Sequence, residues 1–190
     1  KGLNALDSLV DFYKRLKELE ETFDKPHLLG CIITEGGTAP NIVPDRATLK
    51  ATVRALDTDY LEDVMLPQIK ELAAEVAKDH HTPVETEHYE PLYKNMINNA
   101  ALNVYFIEAF NALHEEFGVY EEEDAEGSTD VGNVSHVTRA AQPEIAIGYH
   151  INAHTPEFAT AANSDFAYIQ ALTGAKAMAA VAVEVLFEKR

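Results

Sequence analysis

Residues 47–55 alternate strictly between apolar and polar side chains, and no other pattern constrains the fold of this chain as strongly. Successive side chains of an extended chain point to opposite faces, so a period of two predicts a strand with one buried and one open face. The strand therefore needs a partner strand and an apolar cover. The apolar set is Ala47, Leu49, Ala51, Val53 and Ala55, and the polar set is Thr48, Lys50, Thr52 and Arg54.

Two other segments of the first half have strand character. Residues 28–34 form a continuous apolar run of strand length, which ends in a Glu-Gly-Gly turn at residues 35–37. Residues 82–90 alternate again, with Thr82, Val84, Thr86 and His88 on one face, which predicts a strand. The three segments together predict an antiparallel sheet.

Two helices accompany these strands. Apolar residues recur at three- and four-residue steps over residues 3–21, which predicts an amphipathic helix. A second helix follows a cap at Asp57 or Thr58, with a kink or a new helical start expected near Pro67. The order helix, strand, strand, helix, strand favours a sheet with both helices on one face. One more strand ahead of residue 1 would complete a ferredoxin-like sandwich.

A second unit begins near Asn95. Its apolar spacing predicts a long helix that includes Leu102 to Phe117 and ends at Gly118, then a polar loop over residues 127–135. A short strand is predicted at residues 144–148, and an Ala- and Val-rich helix forms the last 25 residues. Since one strand cannot make a sheet, this half is expected to be an incomplete α/β unit, and the whole chain to be α/β (α+β).

Composition excludes several classes of protein. Lys and Arg total 15 against 32 Asp and Glu, a formal charge of −17, and such a field repels nucleic acid and anionic membranes. The acidic run at residues 121–124 is interpreted as a solvated segment. Cys31 is the single cysteine, so no intrachain disulfide forms, and a reducing, cytoplasmic setting is expected. No apolar stretch is expected to reach the roughly 18 to 20 residues that a membrane helix needs.

His154 is the strongest candidate metal ligand. It follows the predicted strand on a loop that leads into a helix, and imidazole is the commonest metal-binding side chain. Asp130 and Asn133 offer polar groups in the Gly-bearing loop. No HExxH, HxxxH or CxxC string is present, so a loop histidine and a capped surface turn remain alternative interpretations.

Asn41 and Arg54 form a second candidate pair, thirteen residues apart. The loop that holds Asn41 carries more glycine and proline than a plain hairpin requires, and Arg54 lies on the polar face of the predicted strand. A guanidinium beside an amide is suited to holding a carboxylate. An exposed strand arginine and a turn asparagine are the alternative. His80 and His81 are interpreted as structural residues at a helix C-terminus.

Three strings, taken in this order, resemble one known family: KGLNALDSLVDFY, GCIITEGGTAPNIVPDRATLKATVRAL and GSTDVGNVSHV…HTPEFATAA. They are similar to the zinc-dependent amidohydrolases that include aminoacylases, glutamate carboxypeptidases and dipeptidases, and most of all to the subgroup of p-aminobenzoyl-glutamate hydrolase and the aminoacylase-like dipeptidases. The resemblance covers nearly the whole chain. It implies a two-zinc catalytic α/β domain with an inserted lid domain that mediates dimerisation.

The resemblance also implies a role for each candidate. Residues 1–94 would be a ferredoxin-like lid without its first strand, and residues 95–190 the C-terminal part of the catalytic domain. His154 aligns with the last zinc ligand. The lid residues Asn41 and Arg54 would grip the carboxylate of a small peptide or N-acyl amino acid, often across a homodimer. Asp130 and Asn133 would line the pocket.

The family's other zinc ligands precede the lid and are not in this sequence, so no catalytic residue is assigned. One ligand does not hold zinc with useful affinity, and the chain alone is therefore expected to be inactive. The first alternative is a non-catalytic dimerisation module derived from such an enzyme. The second is an α/β ligand-binding protein unrelated to zinc, whose binding would survive replacement of His154 and Asp130.

Overall fold

The structure is a computed structural model that describes residues 2–115, 118 and 127–187. The chain divides into two compact units, Lys1–Asn95 and Met96–Arg190. It mixes helices with a small antiparallel sheet, in agreement with the predicted α+β class. The assignment of residues 1–94 to a lid and of residues 95–190 to a catalytic segment stays a prediction.

The first unit is built on a two-stranded antiparallel hairpin of β1 (His27–Glu35) and β2 (Thr48–Ala55). The register places Leu29 opposite Val53, and a bulge interrupts the ladder between Ile33 and Glu35. Along β2 the burial alternates, and the apolar set lies on the more buried face. This confirms the strand pair and the two faces predicted from the alternation.

Both helices of this unit pack on the same face of the hairpin. The first, α1 (Ala5–Glu20), begins at an Asn4 cap and agrees with the predicted helix. The second begins with α2 (Thr58–Tyr60), whose last backbone N–H donates to Asp57 Oδ1 at 3.0 Å. It continues through a π-helical turn, Leu61–Met65, into α3 (Leu66–His80). The core cluster that they form with the strands consists of Leu16, Phe23, Leu29, Tyr60, Leu61 and Met65.

Pro67 lies in the first turn of α3, directly after the π-helical turn. Proline is tolerated there because the first N–H groups of a helix have no acceptor within the helix. The widened turn before it ends one helical ladder and lets another begin. The predicted new helical start near Pro67 is thereby confirmed.

The predicted strand at residues 82–90 is wrong, because none of these residues belongs to the sheet. Alternation predicts an extended chain, but a strand also needs a ladder of backbone hydrogen bonds to a neighbour. In place of a ladder, the side chain of Tyr89 in this segment contacts β2. The Tyr89 hydroxyl donates to Ala51 O at 3.4 Å and lies 3.3 Å from Thr52 Oγ1.

The long helix of the second unit, α4 (Ala100–Ala112), ends earlier than its apolar spacing predicts. His114 adopts a left-handed conformation with φ of 60°. The His114 N–H donates to Asn111 O and the Glu115 N–H to Phe110 O, at 3.1 and 3.0 Å, which closes the helix in a Schellman motif. The prediction of an end at Gly118 is wrong, and Phe117 and the acidic run at 121–124 lie outside the described residues.

Three shorter features complete the second unit. Part of the predicted polar loop is a helical turn, α5 (Val131–Ser135), and α6 (Pro156–Ala162) follows the loop that carries His154. The predicted strand at residues 144–148 is wrong, since the described part of this unit offers no strand to pair with it. Ile145 packs instead into the cluster that α4 forms with the last helix.

That last helix, α7 (Asp165–Phe187), confirms the predicted C-terminal helix and corrects another expectation. By length and composition alone it is apolar enough to cross a membrane, so the expectation that no stretch reaches that length is wrong. Its charges are few and widely spaced, which keeps its mean hydropathy at 1.4 over the most apolar window. Core helices of water-soluble proteins satisfy the same criteria. Its buried side chains are Ala167, Thr173, Ala177 and Val181.

Candidate functional site

The loop between the two strands, residues 36–47, is held against the start of α1 and borders a cavity of about 540 Å³. The Ala5 N–H donates to Pro44 O at 3.0 Å. Gly37 has φ of 113°, and a Cβ at this position would lie 2.8 Å from Pro44 Cγ. Only glycine fits both this φ angle and the space beside Pro44, so Gly37 fixes the path of the loop.

The two predicted carboxylate-binding residues are both exposed, and the structure does not bring them together within one copy of the chain. Asn41 lies in the loop at the end of the hairpin where β2 begins. Arg54 lies near the other end of β2, opposite Leu28 at the start of β1. At about 3.4 Å per residue, β2 covers about 20 Å between Thr48 and Arg54. A joint action on one carboxylate therefore needs a second copy or a rearrangement.

The face of the hairpin that points away from the helices carries the positive charges of β2. Lys50 and Arg54 lie on this open face with Thr52 between them. The Lys50 ammonium stands 5.4 Å from the centroid of the Tyr89 ring. Lys50 and Arg54 are thus two cationic groups on one face, and each is suited to binding an anionic group.

Lys50 and Tyr89 were not predicted from the sequence as binding groups beside Arg54. Lys50 could have been predicted, since the alternation of β2 places it on the same polar face as Arg54. Tyr89 could not be found this way, because its contact with β2 runs through its side chain and not through a strand ladder. The open face thus holds more binding groups than the sequence indicated.

His154 is exposed on the loop before α6 and has a left-handed backbone, with φ of 64°. His150, four residues earlier, is also left-handed, with φ of 55°. The Phe158 N–H donates to Thr155 Oγ1 at 3.2 Å, which caps α6 and fixes the residue next to His154. Histidine adopts this conformation more often than most non-glycine residues, and His81 and His114 adopt it at helix ends. His150 was not singled out from the sequence.

Asp130 immediately precedes α5, and Asn133 lies within it. Both residues are exposed. The position of α5 is set by the buried Ser135, whose Oγ donates to Gly132 O at 2.5 Å and accepts from the Ile97 N–H at 2.9 Å. The role of Asp130 and Asn133 as residues that line a pocket stays a prediction.

The described residues do not form a metal site by themselves. Among them, no three His, Cys, Asp or Glu side chains are grouped so that they could hold a metal ion. His154 offers a single imidazole, and tight zinc sites use three or four protein ligands. The donor set of this chain, as far as it is described, therefore does not fit a metal centre.

A separate cluster of charged side chains is structural. Arg15 donates to Asp79 Oδ2 at 3.0 Å and pairs with Asp11 at 2.8 Å, and His80 Nε2 lies 3.1 Å from Asp11 Oδ2. The hydrogen bond from His80 is the main cause that lowers the pKa of the Asp11 carboxyl. These contacts join α1 to the end of α3, where His81 closes the helix with φ of 57°.

The chain is similar to known proteins over 99% of its length. Residues 1–81 match the family described as the peptidase dimerisation domain. Two curated relatives are both called Xaa-Arg dipeptidase. The mouse (Mus musculus) protein is 33% identical over an alignment of 195 positions, which covers 99% of this chain and 44% of the relative. The human (Homo sapiens) protein is 31% identical over an alignment of 191 positions, which covers 99% of this chain and 43% of the relative. The chain spans less than half the length of the curated relatives it matches.

Proposed function

We propose that this chain is part of a metal-dependent amidohydrolase of the M20 peptidase family, one that cleaves a small dipeptide or N-acyl amino acid. In this proposal the first unit is the dimerisation lid and the second a segment of the catalytic domain. The observation that carries the proposal is the cationic open face of β2, which presents Arg54 on a dimerisation domain.

The open face binds the free carboxylate of the substrate. Arg54 presents a planar fork of N–H donors, which matches the two oxygens of a carboxylate, and Lys50 adds a second cation on the same face. The apolar Leu28 lies directly across the hairpin from Arg54 and is 56% exposed. It provides a surface for the alkyl part of the amino acid that carries the carboxylate.

Asn41 acts on the same substrate from a second copy of the chain. Within one copy the Asn41 and Arg54 side chains lie at opposite ends of the hairpin. A symmetric dimer contains each residue twice, so Asn41 of one copy can act beside Arg54 of the other. The match of residues 1–81 to a dimerisation domain supports a homodimer. The proposed carboxylate site therefore combines Arg54 of one copy with Asn41 of the other.

His154 is one metal ligand of the complete enzyme, in which the metal is zinc and the remaining ligands come from outside the described residues. The described donors do not hold a metal by themselves. We propose accordingly that the purified chain does not hydrolyse amides. We propose that the residues of this chain bind and orient the substrate.

A titration of the isotope-labelled chain with the dipeptide Ala-Arg, followed by NMR, tests the proposal. Amide signals of residues 28–32 and 50–54 should shift, and Ala-Arg amide, which lacks the carboxylate, should leave them in place. Arg54→Met should abolish the shifts, while Arg46→Met should retain them, since Arg46 is 77% exposed and pairs with Glu35. Equal shifts with the dipeptide and its amide would refute carboxylate recognition.

A non-catalytic dimerisation module is the second candidate function. It is favoured by the family match, which covers the dimerisation domain at residues 1–81 alone. Such a module forms the dimer but does not distinguish Ala-Arg from its amide. The same titration, combined with a measurement of mass in solution, separates the two functions.

A further inference from the structure

Tyr89 attaches residues 82–90 to β2 through its side chain. Its hydroxyl donates to Ala51 O at 3.4 Å and lies 3.3 Å from Thr52 Oγ1. The Tyr89 side chain nevertheless stays 52% exposed, so burial in a core does not account for its position. The ring is therefore available to a neighbouring group on the open face of the hairpin.

That neighbouring group is Lys50. Its ammonium nitrogen lies 5.4 Å from the centroid of the Tyr89 ring, within the roughly 6 Å over which an aromatic face attracts a cation. In the part of the chain that the structure describes, no carboxylate forms an ion pair with Lys50. Because the ring carries no net charge, it orients the ammonium without neutralising it. The N–H groups of Lys50 remain available as donors to an anion.

Lys25 shows the contrasting arrangement. Its ammonium lies 5.0 Å from the centroid of the Tyr60 ring, but it also pairs with the Asp57 carboxylate. Tyr60 is buried in the core, and Asp57 caps the start of α2. Lys25 is thereby neutralised and joins parts of the fold, whereas Lys50 keeps its charge beside an exposed ring. This difference indicates that the contact between Tyr89 and Lys50 serves a ligand.

The open face leaves room for a ligand between Lys50 and Arg54. Thr52 lies between them on β2, and each is about 7 Å from it along the strand, which is comparable to the length of either side chain. Gly30 lies directly across the hairpin from Thr52, and nothing is within 4 Å of a Cβ built at this glycine. An anion above Gly30 and Thr52 can therefore be approached by a cation from each side.

We propose that Tyr89 is a positioning residue of the carboxylate site, because its ring holds the Lys50 ammonium at the open face and leaves the ammonium N–H groups to bind the anion. This inference rests on the function proposed above, since it concerns the same carboxylate. Tyr89 acts through Lys50 and does not itself bind the substrate.

Calorimetric titration of the full chain with Ala-Arg tests the role of the ring. Tyr89→Leu should bind Ala-Arg about two- to fivefold more weakly than the unmodified chain, the effect of losing one exposed cation–π contact. Tyr89→Phe keeps the ring and should retain most of the affinity. Tyr93→Leu is the matched control, since Tyr93 is a nearby tyrosine that is 39% exposed, and it should bind as the unmodified chain does.

A second substitution separates positioning from a general structural role. In a Lys50→Met background, Tyr89→Leu should cause no further loss of affinity, because the ring then has no ammonium to hold. In the labelled chain, the Lys50 side-chain proton signals should show a ring-current shift that Tyr89→Phe retains and Tyr89→Leu removes. An equal loss of affinity with and without Lys50, or Lys50 signals that do not respond to removal of the ring, would overturn the inference.

The outcomes also separate this inference from the proposed function. If the unmodified chain binds Ala-Arg and its amide equally, carboxylate recognition is refuted, and the role of Tyr89 is refuted with it. If the chain prefers Ala-Arg but Tyr89→Leu binds as tightly as the unmodified chain, the carboxylate site stands and the positioning role of Tyr89 is wrong.

Discussion

Asn41 and Arg54, thirteen residues apart in the sequence, lie at opposite ends of the β1–β2 hairpin. Asn41 belongs to the loop packed against the start of α1, and Arg54 faces Leu28 where β1 begins. The strand alone separates the two ends by about 20 Å. If both side chains hold one carboxylate, as we propose, they come from two copies of the chain.

The path of the loop that carries Asn41 depends on Gly37. Gly37→Ala should destabilise the first unit by about 1–3 kcal/mol, because a φ of 113° and a contact of 2.8 Å with Pro44 both oppose a Cβ. Urea unfolding measures this loss. Gly30→Ala is the matched control, since nothing lies within 4 Å of a Cβ there. Equal stability of the two variants would show that the loop is not constrained at Gly37.

The stability of the first unit depends on side chains enclosed between the helices and the hairpin. Leu16→Ala should cost about 2–5 kcal/mol of unfolding free energy, since Leu16 has no exposed surface and its removal leaves a cavity. Leu28→Ala, with Leu28 56% exposed on the open face, should cost well under half as much. Similar losses of unfolding free energy in the two variants would contradict the placement of Leu16 in the core and of Leu28 on the open face of the hairpin.

Acid should weaken the contact between α1 and α3. The pKa of Asp11 is lowered from its usual 3.8, chiefly by the hydrogen bond from His80. A lowered folded-state pKa contributes stability that is present above pH 3.8 and is lost as the pH falls through the folded value. The melting temperature of Asp11→Asn should therefore vary less with pH below 3.8 than that of the unmodified chain. Parallel pH profiles of the two proteins would remove Asp11 from this role.

Cys31 should react slowly with alkylating reagents. Burial is the main cause that raises the pKa of its thiol above the usual 9.0, which reduces the thiolate fraction at pH 8. Iodoacetamide should modify Cys31 in the folded chain more slowly than in the urea-unfolded chain, with the adduct followed by mass spectrometry. Equal rates in the two states would contradict the partly buried position of this residue.

The sequence predicted the features that depend on local pattern. The faces of β2, the cap at Asp57 and the new helical start near Pro67 all follow from residues close to one another. The predicted strands at residues 82–90 and 144–148 were wrong because a strand is defined by its neighbour, which alternation does not reveal.

Three other outcomes depended on conformations that composition does not encode. The end of α4 is set by left-handed His114 and not by Gly118, because histidine can take the role usually given to glycine. The separation of Asn41 from Arg54 follows from the hairpin register, which closeness in the sequence concealed. The left-handed backbone at His154 was likewise invisible before the structure.

The most direct test of the shared site is to mix two defective variants. Asn41→Ala and Arg54→Met should each lose binding of Ala-Arg when they are the only copy present, as measured by calorimetry. After unfolding and refolding together in equal amounts, half of the dimers are mixed, and one of their two sites has both side chains intact. About one quarter of the wild-type binding sites should therefore return. No recovery in a preparation shown to contain mixed dimers would contradict a site built from Asn41 of one copy and Arg54 of the other.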